Sequence, residues 1–449
     1  MTTQNEHGIL ATSRYVPRMR LERSEVFAQH RWMAPGLKGL AKGQKAMANW
    51  DEDSVTMAVE AIRGLRFDHA QVNALTLAST SLPFAERINA GIVASALQLP
   101  SSSSVRDVSS SYRSASTELL NALAQTQSGT QIIVASEKRS PKPASSSEMI
   151  QGDGAAAVCI GTGPIIASLV ASRTEYADFV DHFRESGESH EYGWEERWTR
   201  DEGYMKIAVG AIKRCLEQHA INGSDIAHFV MPAVISKINE SIAKKLGFTK
   251  AKVVDNHRDT VGDLGSAQPL AMLDTALRHA KPGELILLAC FGSGCDVILL
   301  RRTSVPCPGH EPLHFKSETS YLKYLSFNQQ IDLDWGMRAE MDNKTALTAA
   351  WRDHGRISHF EGGKCTKCGT VQFPSGRLCV NPQCNAQDSQ QPFSLADEAA
   401  HVLSHTSDYL AYTPHPPFQF GHIDFESGAR VLMEFTDTDQ EELHSNLPV

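Results

Sequence analysis

No stretch of this chain approaches the roughly 20 consecutive apolar residues of a membrane-spanning helix, so a helical membrane protein is excluded. The N-terminus, Met1-Thr-Thr-Gln-Asn-Glu-His7, lacks the basic-then-apolar order of a secretory signal. A basic excess is missing as well: 43 Lys and Arg against 52 Asp and Glu leave a net charge of −9. General binding to nucleic-acid phosphates needs the opposite balance, although local basic clusters leave room for a phosphorylated cofactor. Nine cysteines without a signal fit a reducing cytoplasm, where thiols bind metal or pack in cores. What remains is an ordinary soluble composition, 41% hydrophobic and 21% charged, in 449 residues, enough for roughly two or three domains.

Four of the cysteines are grouped. Cys365-Thr-Lys-Cys368 is followed, after a short polar loop, by Cys379 and Cys384. Two close pairs separated by a knuckle-sized insert suit a tetrahedral zinc ion, each pair bending around one face of the metal. Gly369, Pro374, Gly376 and Pro382 provide the tight turns that aim thiolates inward. Two disulfides, or four unrelated thiols, are the competing readings. A closed four-thiolate shell has no open position, so such a zinc is structural.

Ahead of this cluster, residues 5–303 alternate helical stretches with short apolar strands, the pattern of an α/β fold. Asp51–Arg63 opens with acidic caps and continues apolar at helical spacing, and 117–127 reads as a second helix. Strands are expected at Gln131–Ser136 and Ala155–Ile160. An internal echo follows. Residues 131–136 lead to Gly152-Asp-Gly-Ala-Ala-Ala-Val-Cys-Ile-Gly161, as 284–292 lead to Cys295–Arg301, so each half ends in two apolar strands joined through glycine. Coincidence among apolar strands is the alternative. Pro306, Pro308 and Pro312 mark a connector, a helical stretch near 336–353 precedes the cysteines, and 419–435 alternates at period two around a Glu-Ser-Gly turn, a β-hairpin.

Several segments carry a resemblance. Asp51–Ala61, Pro83-Phe-Ala-Glu-Arg87, Gly152-Asp-Gly-Ala-Ala-Ala157 and Pro282–Gly294 resemble the thiolase-like condensing enzymes, most of all archaeal-type 3-hydroxy-3-methylglutaryl-CoA synthase, with ketoacyl synthase III more distant. Cys365–Pro374 and the Gly421–Phe435 hairpin resemble the zinc-ribbon and OB-fold family that accompanies thiolase-like enzymes in acyl-CoA chemistry. The resemblance implies duplicated βαβαβ halves, layered α/β/α/β/α. It divides the chain into a condensing domain at 1–303 (halves about 1–165 and 166–303), a linker and helix at 304–360, a zinc ribbon at 361–388 and an OB-like β domain at 389–449. That last domain is either open or short of its final strand. Also implied are a coenzyme A thioester substrate, a homodimer and a site where the halves meet. A non-catalytic or channelling subunit serving a partner thiolase is the alternative to an enzyme.

The resemblance predicts a nucleophilic cysteine at the start of a central helix, where dipole and free N–H groups favour a thiolate. Here that position is Tyr112, in Asp107-Val-Ser-Ser-Ser-Tyr112, and no cysteine is near it. The family's general acid/base glutamate is matched by Thr80, its His-Gln-Xaa-Asn motif by Pro232-Ala-Val-Ile235, and its Gly-Asn pair by Gly262-Asp263. Cys290 stands where thiolases carry a second, acid/base cysteine, or is a buried core thiol. The residues themselves offer a phenol at Tyr112, its anion favoured by the helix dipole, for proton transfer rather than acyl transfer. His257, Asp259 and Asp263 offer a general base and its orienting carboxylate, or else a solvated loop with a capping aspartate. Arg113, Thr80 and Ser114 are candidate substrate contacts, Arg113 through a carboxylate or phosphate. A serine nucleophile near the same helix would need His257 as its base. A plug of a dead site is the alternative for Tyr112. Arg377, His401 and His405 are candidate acyl-CoA contacts in the tail. Expected chemistry is Claisen or retro-Claisen acyl transfer, or retro-aldol cleavage, without a covalent acyl-enzyme.

Overall fold

The computed structural model describes residues 6–125, 129–307, 315–334, 346–438 and 442–449. It divides into two compact units, Met1–Gln330 and Ile331–Val449. The first unit is organised by ten strands: β1 (Glu6–Tyr15), β2 (Val72–Ala78), β3 (Ser104–Val108), β4 (Thr130–Glu137), β5 (Gly154–Gly163), β6 (Ala167–Tyr176), β7 (Ile226–Val230), β8 (Lys252–Val253), β9 (Leu285–Phe291) and β10 (Gly294–Arg302). Their hydrogen-bonded order is β8-β7-β9-β10-β6-β1-β5-β4-β2-β3. Read outward from the centre, the two halves have the same order. In each, the second strand pairs in parallel with the third and fourth, and the fourth pairs antiparallel with the fifth. The echo between the halves is a structural duplication. They join where Ile9 of β1 faces Ala167 of β6.

Period-two alternation builds the layers. In β4, Ile132 and Val134 enter one core while Ile133 and Ala135 enter another. In β9, Leu285, Leu287, Ala289 and Phe291 face one side, and Ile286, Leu288 and Cys290 the other. The shared inner core holds two helices, α3 (Ser114–Ala124) and α6 (Gln268–His279), one from each half. The outer cores are covered by α1 (Ser54–Arg63) and α2 (Asn89–Ala96) on one side, and by α4 (Val209–Gln218) and α5 (Ile238–Lys245) on the other. The result is an α/β/α/β/α stack, the thiolase-like arrangement. Helix α1 begins at Asp53, whose carboxylate accepts from the backbone of Val55 and Thr56 while Thr56 Oγ1 accepts from the Asp53 backbone. The expected end of the 117–127 helix lies partly outside the described residues.

The connector expected from 304 does not behave as one throughout. Lys316–Glu318 pairs with Met19–Glu22, which in turn pairs with Gln44–Met47. The following helix, Tyr321–Phe327, inserts Tyr321 and Tyr324 against Glu148 and the fully buried Lys45. These aromatic rings cover what would otherwise be exposed charge, so the first unit extends to Gln330. Pro308, Pro312 and the first part of the 336–353 stretch lie outside the described residues; Leu347–Arg352 and His354–His359 are helical.

In the second unit, Glu361–Cys365 pairs with Val371–Gln372 and with Gln390–Ser394, framing the four cysteines. Ala400–Asp408, Phe418–Phe425 and Arg430–Glu434 then form an antiparallel sheet. The chain end returns to its edge, where Val402 N donates to Leu447 O and Val449 N to Ala400 O. Among the described residues no helix is long and apolar enough to cross a membrane.

Replacing Asp53 by alanine removes the N-cap of α1 and should cost about 1 kcal/mol. The expected reading is a lower urea midpoint at unchanged slope for the first unit.

Candidate active site

The chemistry-bearing loops leave the carboxyl ends of the parallel strands, the usual place for ligands in such sheets. Thr80 follows β2, Tyr112 follows β3, Arg139 follows β4, Pro232 follows β7, and Cys290 and Phe291 close β9. From the second half, Asp263 is brought in by a close backbone approach. A Cβ on Gly152 would sit 2.1 Å from Val261 O, so only glycine admits this contact. It lets Asp263 N donate to Ile150 O at 2.7 Å and Gly152 N to Asp263 O at 2.9 Å. Gly262, at φ +90°, makes the turn that presents the aspartate.

Tyr112, Arg139, Asp263, Glu191, His182 and Cys290 line one cavity of about 190 Å³. Tyr112 OH donates to Glu191 Oε2 at 2.6 Å and accepts from Arg139 Nη1 at 2.8 Å. Arg139 Nη2 pairs with Asp263 Oδ2 at 2.9 Å and also reaches its backbone oxygen. The phenol ring stacks on His182, with centroids 4.1 Å apart and planes at 19°. His182 Nδ1 lies 3.2 Å from Asp181 Oδ2. Ser147 and Gln151 donate to Glu191 Oε1.

These contacts decide protonation. Burial drives the Tyr112 phenol well above its ordinary value; Arg139 pulls it down, but Glu191 and Asp263 add to the rise. The expected phenolate is therefore corrected to a neutral phenol, because α3 begins only at Ser114 and its dipole cannot offset that burial. Burial alone would lower Arg139, but Tyr112, Asp263, Glu191 and Glu137 outweigh it and hold the guanidinium charged. Glu191 is opposed by burial, yet Arg139 and the Tyr112 hydrogen bond bring it below the usual carboxylate range. His182 is likewise opposed by burial and raised by its bond to Asp181. The site thus holds a neutral hydroxyl between a cation and an anion.

Other residues singled out from the sequence stand elsewhere. His257 is not in the cavity lining: its Nε2 faces Arg14 and Thr275, and burial followed by Arg14 lowers its pKa. The base-and-carboxylate pair of His257 with Asp263 is therefore not assembled, and His257 is not placed as the base of a serine near α3. Arg113 is committed to the scaffold, with Nη1 on Asp296 at 2.7 Å and Nε on Gly292 O at 2.9 Å, so it is not placed for a substrate anion. Ser114 is buried and donates to Ser109 O. Thr80 donates through backbone and hydroxyl to Glu137, a fully buried carboxylate that also accepts from Ser81 and Ser266. Cys290 is 2% exposed, and burial carries its thiol far above the ordinary range. It lines the cavity as a neutral thiol, not a thiolate.

Arg139, Glu191 and His182 were missed from the sequence. Arg139 had a signal: Glu137-Lys-Arg139 places charge directly after an apolar strand. Glu191 had none, since it ends a polar loop.

In the second unit, the four cysteine Sγ atoms lie within 4.8 Å of one another, with Cys368–Cys379 at 3.5 Å and Cys365–Cys384 at 3.9 Å. A disulfide needs about 2.05 Å. A tetrahedral shell at about 2.3 Å from zinc places sulfurs about 3.8 Å apart. Lys367 N donates to Cys365 Sγ, a bond that favours a thiolate. The group has the separations of a metal shell and not those of disulfides. Arg377 pairs with Asp388 on the same knuckle, while His401 and His405 lie on the Ala400–Asp408 strand.

Residues 216–299 match the family described as 3-oxoacyl-[acyl-carrier-protein] synthase III, C-terminal. A hydroxymethylglutaryl-CoA synthase of Aeropyrum pernix is 28% identical over 359 residues, which cover 77% of this chain and 97% of that protein. One from Methanocella arvoryzae is 27% identical, covering 71% and 96%. Among solved structures, 3-oxoacyl-[acyl-carrier-protein] synthase III of Aquifex aeolicus superposes with a TM-score of 0.57 at 17% identity, covering 66% of this chain and 99% of its own. A variant of Xanthomonas campestris OleA, solved with lauric acid and lauroyl-CoA, gives 0.58 at 16% identity, covering 66% and 99%. Relatedness in sequence and the shared duplicated fold agree: the first unit has the thiolase-like fold and is similar in sequence to the hydroxymethylglutaryl-CoA synthases.

Proposed function

We propose that this protein makes or breaks a carbon–carbon bond in a coenzyme A thioester without passing the acyl group to the protein. The observation that carries this reading is Tyr112, a neutral phenol held between Arg139 and Glu191 in the cavity, where the related enzymes place a cysteine. A phenol is a poor acyl carrier but a workable proton-transfer group. Arg139 is placed to stabilise negative charge developing on the Tyr112 oxygen. Asp263, charge-compensated by Arg139, fixes that guanidinium instead of confronting a substrate oxyanion. Cys290, kept neutral by burial, contributes shape to the cavity floor. Both a one-step Claisen reversal and retro-aldol cleavage need only this proton traffic.

The cysteine cluster fits a zinc ion held by Cys365, Cys368, Cys379 and Cys384. Such an ion supplies a closed cross-link for a small β unit and leaves catalysis to the first unit. The β unit after it is read as an accessory to acyl-CoA binding.

Two measurements check these readings. Tyr112→Phe should lower the rate of thioester cleavage or formation about 100-fold or more, while intact-protein mass spectra of the wild type with acyl-CoA donors show no acyl adduct. A stable adduct, or an unchanged rate, sinks the proton-transfer reading. Elemental analysis of the purified chain should give about one zinc per chain, and Cys379→Ser should lose the metal and the cooperative melting of the second unit.

A further inference from the structure

Glu191 does not come from the strand-end loops that supply the other site residues. It precedes the outer strand of a small hairpin, in which His182 faces Gly193 and Phe183 faces Tyr192. That hairpin bonds to the site's own loops: Arg184 Nη2 donates to Thr80 O at 2.9 Å, and His190 Nδ1 lies 2.8 Å from Ser140 O. It thereby brings a carboxylate to the one proton of Tyr112. Glu191 accepts from Tyr112, Ser147 and Gln151, and each of those partners is a donor to it. The charged and titratable groups facing it are Tyr112, Arg139 and the His182–Asp181 pair, with Asp263 behind Arg139.

We propose that Glu191 is the terminal proton acceptor of a two-residue relay through Tyr112. This rests on the carbon–carbon chemistry proposed above and names the group that takes the proton from Tyr112.

The relay closes its own balance. In retro-aldol cleavage the β-hydroxyl of the thioester gives its proton to the Tyr112 oxygen as Tyr112 gives its proton to Glu191 Oε2. The α–β carbon bond breaks, its electron pair passing into the thioester as an enolate, and the hydroxyl carbon leaves as a carbonyl. The enolate carbon then takes the proton back from Glu191 through Tyr112. No oxidant, reductant or metal is required.

The experiment measures the wild type, Tyr112→Phe, Glu191→Gln and Glu191→Asp on a panel of β-hydroxyacyl-CoA thioesters. It also follows the Cζ resonance of Tyr112 by carbon-13 NMR, assigned through Tyr112→Phe. Glu191→Gln keeps the side-chain shape but removes the basic site. It should lower kcat about 100-fold with KM within about threefold, and Glu191→Asp should restore part of the loss. Wild-type kcat/KM should hold down to below the ordinary glutamate value of about 4.3 and fall as pH drops through the depressed value of Glu191, a limb absent from Glu191→Gln. A rate that depends on Tyr112 but not on Glu191 overturns the relay and leaves the function standing. If the wild type cleaves no thioester in the panel, the parent reading falls and the resonance alone decides. Phenol ionisation at lower pH in Glu191→Gln than in the wild type upholds the pairing. An unmoved ionisation overturns it, and Glu191→Asp provides the same reading if the glutamine variant does not fold.

Discussion

The Arg139 guanidinium is the interaction on which the site depends. It extends from the first half, past the end of β4, to Asp263 of the second half and to the Tyr112 oxygen. A cation this enclosed is tolerated only when anions and acceptors surround it. Here Asp263 and Glu191 supply the charge, and the phenol supplies the oxygen between them. Without Arg139, two carboxylates would approach a buried hydroxyl with the cation that bridges them removed. The close approach of Gly152 to Val261 follows from the same demand, because it sets the Asp263 loop within reach.

In the proposed reading, Tyr112 alters what this architecture can do. In this fold the loop after β3 presents its residue to a cavity bounded by both halves. A thiolate there would attack a thioester; a phenol flanked by a cation and an anion is suited instead to the proton transfer proposed above. Burial disfavours the free phenolate, so the proposed proton transfer would exchange one proton for another at a hydroxyl that does not stand ionised. The stacked His182, raised in pKa by Asp181, adds positive charge beside the ring and helps hold Glu191 ionised. It loses that charge as pH rises through its raised value. The contribution to Glu191 is therefore greatest on the acidic side.

The large features were legible in the sequence because they repeat or follow a period. The echo between 131–161 and 284–301 is the same pair of antiparallel strands in each half. Alternating apolar residues in β4 and β9 correspond to two separate cores, and the acidic start of α1 is a capping box. The spacing of four cysteines marked a cluster whose sulfur separations suit a metal. The site was only half legible. Tyr112 and Asp263 could be placed because they occupy matched positions in loops of known order. Glu191 and His182 lie in a polar segment with no periodicity, and their role comes from a hairpin that folds back over 40 or more residues of chain. His257 misled because it is close to Asp263 in sequence, whereas its left-handed backbone, φ +54°, sits in a turn whose side chain points to Arg14. The connector misled for another reason: prolines announced a linker, but Tyr321 and Tyr324 were needed to cover Lys45 and Glu148.

The doubled strand order has an evolutionary meaning. Each half presents an equivalent set of loops at the carboxyl ends of its strands, yet only one set carries the phenol and only the other carries the aspartate. The strands and buried helices can therefore be inherited unchanged while the two sets of loops diverge independently. A change of reaction type then requires a handful of side chains at the seam between former twins and no change in the body that holds them.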